Sequence, residues 1–593
     1  MRKRKLFILF IFIAIIVWPS LATEMFVNPQ KIELGTGKIL VENLGLEYVG
    51  DIPDSFKEIL PLGTGSTKIK VVLSDQAELK DKGTDAFLIK LAKEEGLITA
   101  NSETGLYYAL QTLKTMLEGE KELTAFTLVD WPDYKIRGVI EGFYGEPWSH
   151  EDRLSMLEFM GKVRMNTYVY APKDDPYHRM QWKEPYPEDK RQKLQELVEA
   201  AQANQVNLVF AISPGNSVKY TSEEDWQALI NKTEDMIAIG IKDFSLLFDD
   251  INPTLKFKDD RVYYKNSYGR AHIDWSNKYQ EYLSQRLPGH HLVVVGTDYY
   301  QEGTSNYRKQ FLEGLREDVW VFSTGYGVVA PRITKGHATA IAEAWGHEIV
   351  YWDNYPVNDY ARHRLYMGPL SGRDPQLPQT VGFTFNPMNE AELSKVALLT
   401  AASYTWNSKA YIPLESWELA IRILGGDSWQ QLRRFASNSK TGLPGGATTN
   451  YPEFWDLLAR FNRTLDSLKD GLETSAELKE LKADFNVALQ DLKAELLALS
   501  LLEKDLTENL PLIYQDGEKY IKRLSNFGLA GVKFVEAIEN SVFQDGSLAE
   551  QLLYDGRKAL AGDSKLNSVE PSSTADLVRA LNHLNKQAQE LIK

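Results

Sequence analysis

The stretch Ile136–Asp152, IRGVIEGFYGEPWSHED, contains a complete change of pattern, from an apolar run through a polar turn to a helix start. The run IRGVIEG is short, apolar and rich in β-branched residues, which indicates a buried strand. Ser149 and Asp152 then stand at the capping-box interval, where each side chain can bond a free amide at the start of a helix. A strand followed by a helix is the repeating unit of α/β folds.

The same unit recurs along the chain. Seven more apolar runs alternate with helical patterns: NTYVYA at Asn166, NLVFAI at Asn207, DFSLLF at Asp243, HLVVVG at His291, VWVFST at Val319, EIVYW at Glu348 and VGFTF at Val381. Ser222 with Asp225, and Asn389 with Glu392, repeat the capping-box interval. Eight strand-helix units predict a (β/α)8 TIM barrel, which we place at residues 131–420.

Different patterns flank this barrel on both sides. Residues 23–130 mix strand-like runs such as IKVVLSD and FTLVD with the helical pattern GLYYALQTLKTML, which predicts a small N-terminal α/β domain. Residues 421–593 carry long stretches rich in Leu, Ala, Glu and Lys, for example 453–470 and 477–504, which predict a C-terminal α-helical bundle.

The first 22 residues have the pattern of a signal peptide. Four basic residues precede an apolar stretch that closes on Ser20-Leu21-Ala22, a small-x-small cleavage pattern. A membrane anchor is the alternative, but no second apolar span follows, so the mature chain should have no membrane span. We expect a protein that is exported, either periplasmic or secreted. It has no cysteine, so it uses no disulfide there.

The charge of the chain argues against nucleic acid as a partner. The formal net charge is -15 for the whole chain and falls to -19 when the four basic residues of the first 22 are removed. A surface this acidic repels phosphate backbones.

In barrels of this kind the catalytic groups lie at the C-terminal ends of the strands, and here those ends are polar or aromatic. The fourth run ends in FDDIN. At a strand end the two-residue alternation of side chains lapses, so Asp249 and Asp250 can both reach the mouth. Because adjacent carboxylates disfavour each other's charge, one could keep a proton to donate while the other stays ionised.

The competing interpretation is that the aspartate pair caps a helix or holds a metal. Neither a zinc-protease nor a calcium-loop spacing occurs, so no metal or cofactor is predicted.

Other strand ends offer groups suited to a carbohydrate, which is held by hydrogen bonds to its hydroxyls and by aromatic faces. The polar candidates are Lys173, Asn354, Asp359 and Asn386, and the aromatic candidates are Tyr144, Tyr299 and Trp352. Each could serve structure alone, and only their joint occurrence at strand ends favours a sugar pocket.

Five motifs, in chain order, resemble those of glycoside hydrolase family 84, the β-N-acetylglucosaminidases of the O-GlcNAcase type. They are RGVIEGFYGEPWS, MNTYVYAPKDDPYHR, LLFDDI, WDNYPVND and FNPMNEAE. The resemblance implies retaining exo-hydrolysis of terminal β-linked N-acetylglucosamine on glycans or glycoproteins. The substrate's own acetamido oxygen would be the nucleophile and an oxazoline the intermediate, a recognised exception to two-carboxylate hydrolysis.

The resemblance also implies a role for each site residue. Asp249 would orient and polarise the acetamido group, and Asp250 would be the general acid and later the base for water. The sugar-binding residues implied are Gly142 through its carbonyl, Lys173, Tyr299, Trp352, Asn354, Asp359 and Asn386. Two alternatives stay open: a hyaluronidase or chitin-fragment hydrolase, which would cut internally, and a glycan-binding barrel without turnover.

Overall fold

All eight predicted barrel strands form. The computed structural model describes residues 28–440, 451–470, 475–562, 566, 568, 569, 571 and 573–592, and the predicted signal peptide lies outside these residues. The barrel strands are β7 (Ile136–Glu141), β8 (Thr167–Tyr170), β9 (Asn207–Ile212), β10 (Asp243–Leu247), β11 (Leu292–Val295), β12 (Trp320–Ser323), β13 (Ile349–Asp353) and β14 (Thr380–Phe385). Each pairs in parallel with the next, and β14 pairs with β7 to close the barrel. The predicted fold class is confirmed.

Helices connect most of these strands and cover the barrel. They are α3 (His150–Lys162), α4 (Glu188–Ala203), α5 (Glu223–Ala238), α6 (Lys258–Tyr263), α7 (Tyr268–Arg286), α8 (Asn306–Gly314), α9 (Lys335–Trp345) and α10 (Ala391–Trp406). The capping box of Ser149 and Asp152 forms at the start of α3. Ser222 caps α5 by accepting from the amide of Asp225.

The N-terminal domain is a six-stranded mixed sheet. Its elements are β1 (Lys31–Leu40), β2 (Leu44–Val49), α1 (Asp54–Lys57), β3 (Thr67–Leu73), β4 (Phe87–Leu91), β5 (Glu95–Ala100), α2 (Glu103–Leu117) and β6 (Glu122–Asp130). The strand order is β1-β6-β4-β5-β3-β2. Two buried arginines of the barrel, Arg137 and Arg164, pair with Asp85 and Asp130 of this domain and fix it beneath the barrel.

The chain after the barrel is helical throughout its described part. The helices are α11 (Pro413–Gly425), α12 (Trp429–Asn438), α13 (Pro452–Lys469), α14 (Ser475–Ser500), α15 (Leu502–Asn509), α16 (Pro511–Phe543), α17 (Ala549–Ala561) and α18 (Thr574–Ile592). Across the described residues, no helix combines the length and hydropathy needed to cross a bilayer.

One predicted helix cap is wrong. Asn389 and Glu392 form no capping box, because α10 begins at Ala391, after Glu390. The free amide of Glu392 instead donates to Asp516 of α16, at 2.7 Å. A helix from the C-terminal bundle therefore caps the helix that follows the last barrel strand.

Ionisation of Asp516 should lower the free energy of unfolding, by an amount that depends on pH. Burial, together with the carboxylates of Asp152, Glu392 and Glu390, raises the pKa of this carboxyl to about 7, although the hydrogen bond from the amide of Glu392 acts in the opposite direction. Because the pKa is higher in the folded chain than in the unfolded one, the ionised form is disfavoured by folding. This loss of stability is absent below about pH 4, grows as the pH rises and is complete above about pH 7.

We therefore expect Asp516→Asn to stabilise the protein at alkaline pH. The amide keeps an oxygen to accept from the α10 amide and removes the charge, so thermal unfolding should shift upward by about 3 °C at pH 8 and by less at pH 5. The matched control is Asp484→Asn, which changes an exposed aspartate of α14. An equal gain for both variants, or a gain that shrinks as the pH rises, would contradict the assigned cause.

Candidate active site

The C-terminal ends of the barrel strands surround a pocket of about 220 Å³. All ten residues predicted from the sequence line it: Gly142, Tyr144, Lys173, Asp249, Asp250, Tyr299, Trp352, Asn354, Asp359 and Asn386. The rest of the lining consists of Val295, Thr324, Val328, Val329, Val357 and Tyr360. The structure thus brings every predicted site residue together, although they come from six strand ends.

Asp249 lies at the base of the pocket and is only 5% exposed. Its Oδ2 accepts a hydrogen bond from the ammonium of Lys173, which is equally buried. Its Oδ1 is buried and has no hydrogen-bond partner within the described part of the chain. Buried acceptors in native proteins are almost always paired, so this oxygen calls for a donor from a bound molecule.

Asp250 lies at the rim of the same pocket and is exposed. Its backbone is left-handed, with φ of 46°, which turns the chain immediately after Asp249. Two phenols donate to its carboxylate: Tyr299 to Oδ1 and Tyr144 to Oδ2, both at 2.9 Å. The two aspartates therefore have different surroundings, one a buried ammonium and the other two phenols.

The phenols that contact Asp250 remain hydrogen-bond donors at neutral pH. Burial raises the pKa of Tyr144 to about 12, and the Asp250 carboxylate contributes in the same direction. Burial and the same carboxylate also raise the pKa of Tyr299. Both groups can hold the Asp250 carboxyl in place without competing for its proton.

Two side-chain amides form one wall of the pocket. Asn386 donates to the Oδ1 of Asn354 at 2.8 Å, and Asn354 donates to the carbonyl of Val328 at 2.7 Å. The Oδ1 of Asn386 accepts from the amide of Gly142 at 3.3 Å. These contacts fix the orientation of both amides, as a site that recognises hydroxyl groups requires.

The floor and far rim are formed by Trp352 and Asp359. Trp352 is buried in the apolar interior of the barrel, and its ring also lines the pocket. Gly142 allows this, because a Cβ at that position would lie 2.3 Å from Cζ2 of the tryptophan. Asp359 accepts from the amide of Tyr144 at 2.9 Å.

A larger cavity, of about 570 Å³, opens at the opposite end of the barrel. Its lining mixes barrel valines and aromatic rings with polar side chains, and both of its carboxylates are already bonded: Asp85 by Arg137, and Asp243 by Asn207. It has no counterpart of the unpartnered carboxylate at the mouth. Size alone therefore does not identify the functional pocket, and the chemistry favours the smaller one.

No group of three or more His, Cys, Asp or Glu side chains in the described ranges is arranged to hold a metal ion. The acidic pair is held by an ammonium and two phenols instead. A buried lysine beside a carboxylate supplies the positive charge locally.

Sequence reasoning left some lining residues out of the predicted site. Val295 is the last residue of β11 and Thr324 follows β12, so their positions at strand ends could have indicated them. Val328 and Tyr360 lie on loops, where no periodic signal exists. Asn389 lies just outside the pocket lining and bonds the carbonyl of Tyr144.

An eight-stranded barrel with an acidic pair, fixed amides and an aromatic floor at its mouth defines a class of enzyme, the glycoside hydrolases. The family model for beta-N-acetylglucosaminidase matches residues 137–437, half of the chain, and the matched range contains every lining residue of the mouth pocket. The chain belongs to this β-N-acetylglucosaminidase family.

Known relatives agree with this assignment. The chain is 34% identical over 275 residues to the Protein O-GlcNAcase of Rattus norvegicus and to that of Mus musculus, a match that covers 45% of this chain. It resembles the solved structure of CpGH84B with a TM-score of 0.75 and 28% identity, covering 93% of this chain and 99% of that one. A Thermobaculum terrenum O-GlcNAc hydrolase mutant gives a TM-score of 0.64 and 27% identity over 77% of this chain and 94% of that one.

The match to the curated relatives is confined to part of their length. The aligned region spans 29% of the rat and mouse proteins, which are therefore much longer than the shared segment. The resemblance to glycoside hydrolase family 84 is confirmed for the barrel and for the overall fold.

Proposed function

We propose that the protein is an exo-acting, retaining β-N-acetylglucosaminidase that removes terminal β-linked N-acetylglucosamine by substrate-assisted catalysis. Its partners would be glycans or glycoproteins that end in this sugar. The observation that carries the proposal is the buried, unpartnered Oδ1 of Asp249, immediately before a second carboxylate in the chain.

An acetamido sugar fits that arrangement. Asp249 would accept the N–H of the acetamido group through Oδ1, while the ammonium of Lys173 donates to Oδ2 from the other side. Accepting this hydrogen bond increases the electron density on the acetamido carbonyl oxygen. That oxygen can then attack the anomeric carbon from within the substrate, so no second carboxylate is needed across the scissile bond.

Asp250 would complete both halves of the reaction. As the bond between the anomeric carbon and the leaving oxygen breaks, its carboxylic acid gives a proton to that oxygen, and the bond to the acetamido oxygen forms. In the second half its carboxylate takes a proton from water, which attacks the anomeric carbon and reopens the oxazoline ring. Two inversions at one carbon give net retention.

The size of the pocket supports action at chain ends. About 220 Å³ suits roughly one sugar ring, and Asp359 and Asn354 would take hydroxyls on the side away from the acidic pair. Contacts to those hydroxyls would favour a terminal sugar over one that continues on the non-reducing side.

The test is turnover of aryl N-acylglucosaminides by the pure protein, with one, two or three fluorines on the acyl group. Each fluorine weakens the carbonyl oxygen as a nucleophile, so kcat should fall steadily along the series. The aryl β-glucoside, which lacks the acetamido group, is the matched control and should not react. Equal rates for the N-acetyl and N-trifluoroacetyl sugars would exclude participation by the substrate.

We propose further that the chain is exported, on the basis of the basic and apolar pattern of residues 1–22. Scavenging of external glycans would suit an exported enzyme of this kind. Mass spectrometry of the protein recovered from cell fractions is the check, and an uncut chain confined to the cytoplasm would contradict export.

A further inference from the structure

Asp250 has a backbone conformation that residues other than glycine rarely adopt. A φ of 46° lies in the left-handed region, which non-glycine residues occupy only when their surroundings hold them there, although Asp tolerates it better than most. The position is exposed, so burial does not enforce it. Something else must keep the carboxyl aimed at the pocket.

Arg179 makes the contacts that could do so. One terminal nitrogen of its guanidinium donates to the backbone carbonyl of Asp250 at 3.3 Å. The other donates to the hydroxyl of Tyr144, also at 3.3 Å, and the guanidinium lies 5.5 Å from the centre of that ring. Tyr144 in turn donates to Oδ2 of Asp250. The arginine thus reaches both the backbone and, through a phenol, the carboxylate of the same residue.

The backbone that carries Arg179 is itself fixed to the barrel. The preceding residue, His178, is buried, and its Nδ1 donates to the carbonyl of Ala211 on β9 at 2.7 Å. Its carbonyl accepts from the amide of Ser213 at 3.0 Å. Burial lowers the pKa of His178 to about 4, so this anchor stays neutral and intact at neutral pH. The backbone next to Arg179 is therefore anchored to the barrel, which restricts where the guanidinium can lie.

We propose that Arg179 is a positioning residue for proton transfer, which holds the Asp250 backbone and the Tyr144 phenol so that the carboxyl faces the leaving oxygen. This inference rests on the proposed function, in which Asp250 is the general acid. The two contacts use two different terminal nitrogens of the guanidinium, whereas a lysine presents all its donors from one atom. A lysine at this position should therefore keep the charge but lose one of the two contacts.

A positioning role predicts a specific kinetic signature. Proton donation matters most when the leaving group is a poor one, because an acidic phenol departs without help. Loss of Arg179 should therefore steepen the dependence of kcat/KM on leaving-group acidity. A residue that only stabilised the fold would lower the rate for all substrates by a common factor.

The experiment measures kcat/KM for Arg179→Lys and Arg179→Met on a series of aryl β-N-acetylglucosaminides. We expect kcat/KM to fall by about 10- to 100-fold for the least acidic phenol and by less than about 3-fold for the most acidic one. The reason is that a misaligned general acid gives only part of its usual rate enhancement. Arg191→Lys is the control, because Arg191 lies on α4, outside the pocket lining, and its side chain pairs with Asp235.

The outcomes separate the two proposals. Wild-type turnover with a steeper leaving-group dependence in both variants supports the positioning role. Wild-type turnover with a uniform loss, or with Arg179→Lys indistinguishable from wild type, would overturn it. Absence of turnover by the wild type on every aryl substrate would instead remove the proposed function. Circular dichroism and the unfolding midpoint confirm that each variant is folded before its rates are compared.

Discussion

Asp250→Asn should lower kcat/KM for an N-acetylglucosaminide with a poor leaving group by about 10³-fold, the contribution expected of a well-placed general acid. The amide oxygen of the variant can accept from one of the two phenols, and its NH2 group can donate to the hydroxyl oxygen of the other, so the pocket should keep its shape. It has no proton to give to the leaving oxygen. The variant should therefore lose rate because the proton is missing, and not because the site is distorted.

The leaving group provides the decisive comparison for this variant. A dinitrophenolate departs with little need for a proton, so the first half-reaction should recover on that substrate and hydrolysis of the intermediate should become limiting. Stopped-flow release of the phenol would then show a burst. The control is Asp259→Asn, which changes an exposed aspartate on α6, in the connection that follows Asp250. A loss that is equal on all leaving groups would remove the acid role from Asp250.

The barrel could be predicted because its strands are buried on both faces. Runs such as VVV in β11 and LL in β10 are continuous and apolar, and each is bounded by polar residues that turn the chain. The N-terminal sheet was predicted less completely. β1 alternates poorly and has exposed residues along most of its length, so its pairing with β6 depends on tertiary context that no local pattern carries.

The start of α10 shows a second limit of local reasoning. Asn389 and Glu392 have the spacing of a cap, but the acceptor for the helix amide comes from Asp516, more than a hundred residues away. Asn389 itself bonds the carbonyl of Tyr144 and the side chain of Asn358. A spacing rule cannot anticipate a competing partner that only the assembled fold supplies.

The sequence predicts which residues form the site better than it predicts how those residues are arranged. Strand ends converge in a barrel by topology, so residues placed there must meet, whichever side chains they carry. The left-handed turn at Asp250 and the reach of Arg179 depend on loop conformations, which follow no periodicity. Arg179 lies within the APKDDPYHR motif, but its position in that motif does not indicate a contact with Asp250, which follows another strand.

Asp249→Asn should lower kcat by about 10² to 10³-fold on every leaving group, because the residue acts on the nucleophile and not on the departing oxygen. The amide oxygen of the variant can still accept the acetamido N–H, but it no longer carries the charge that favours the positive oxazoline-forming transition state. A flat leaving-group dependence would distinguish this loss from that of Asp250→Asn.

Removing the Asp249 charge also leaves the buried ammonium of Lys173 without its carboxylate. Breaking one side of a buried pair costs about 3–5 kcal/mol of stability, whereas replacing both partners is often close to neutral. The double variant Asp249→Asn/Lys173→Met should therefore recover most of the unfolding midpoint lost by the single variant and none of its activity. Recovery of turnover together with stability would mean that the pair serves the fold and that Asp249 does not act on the substrate.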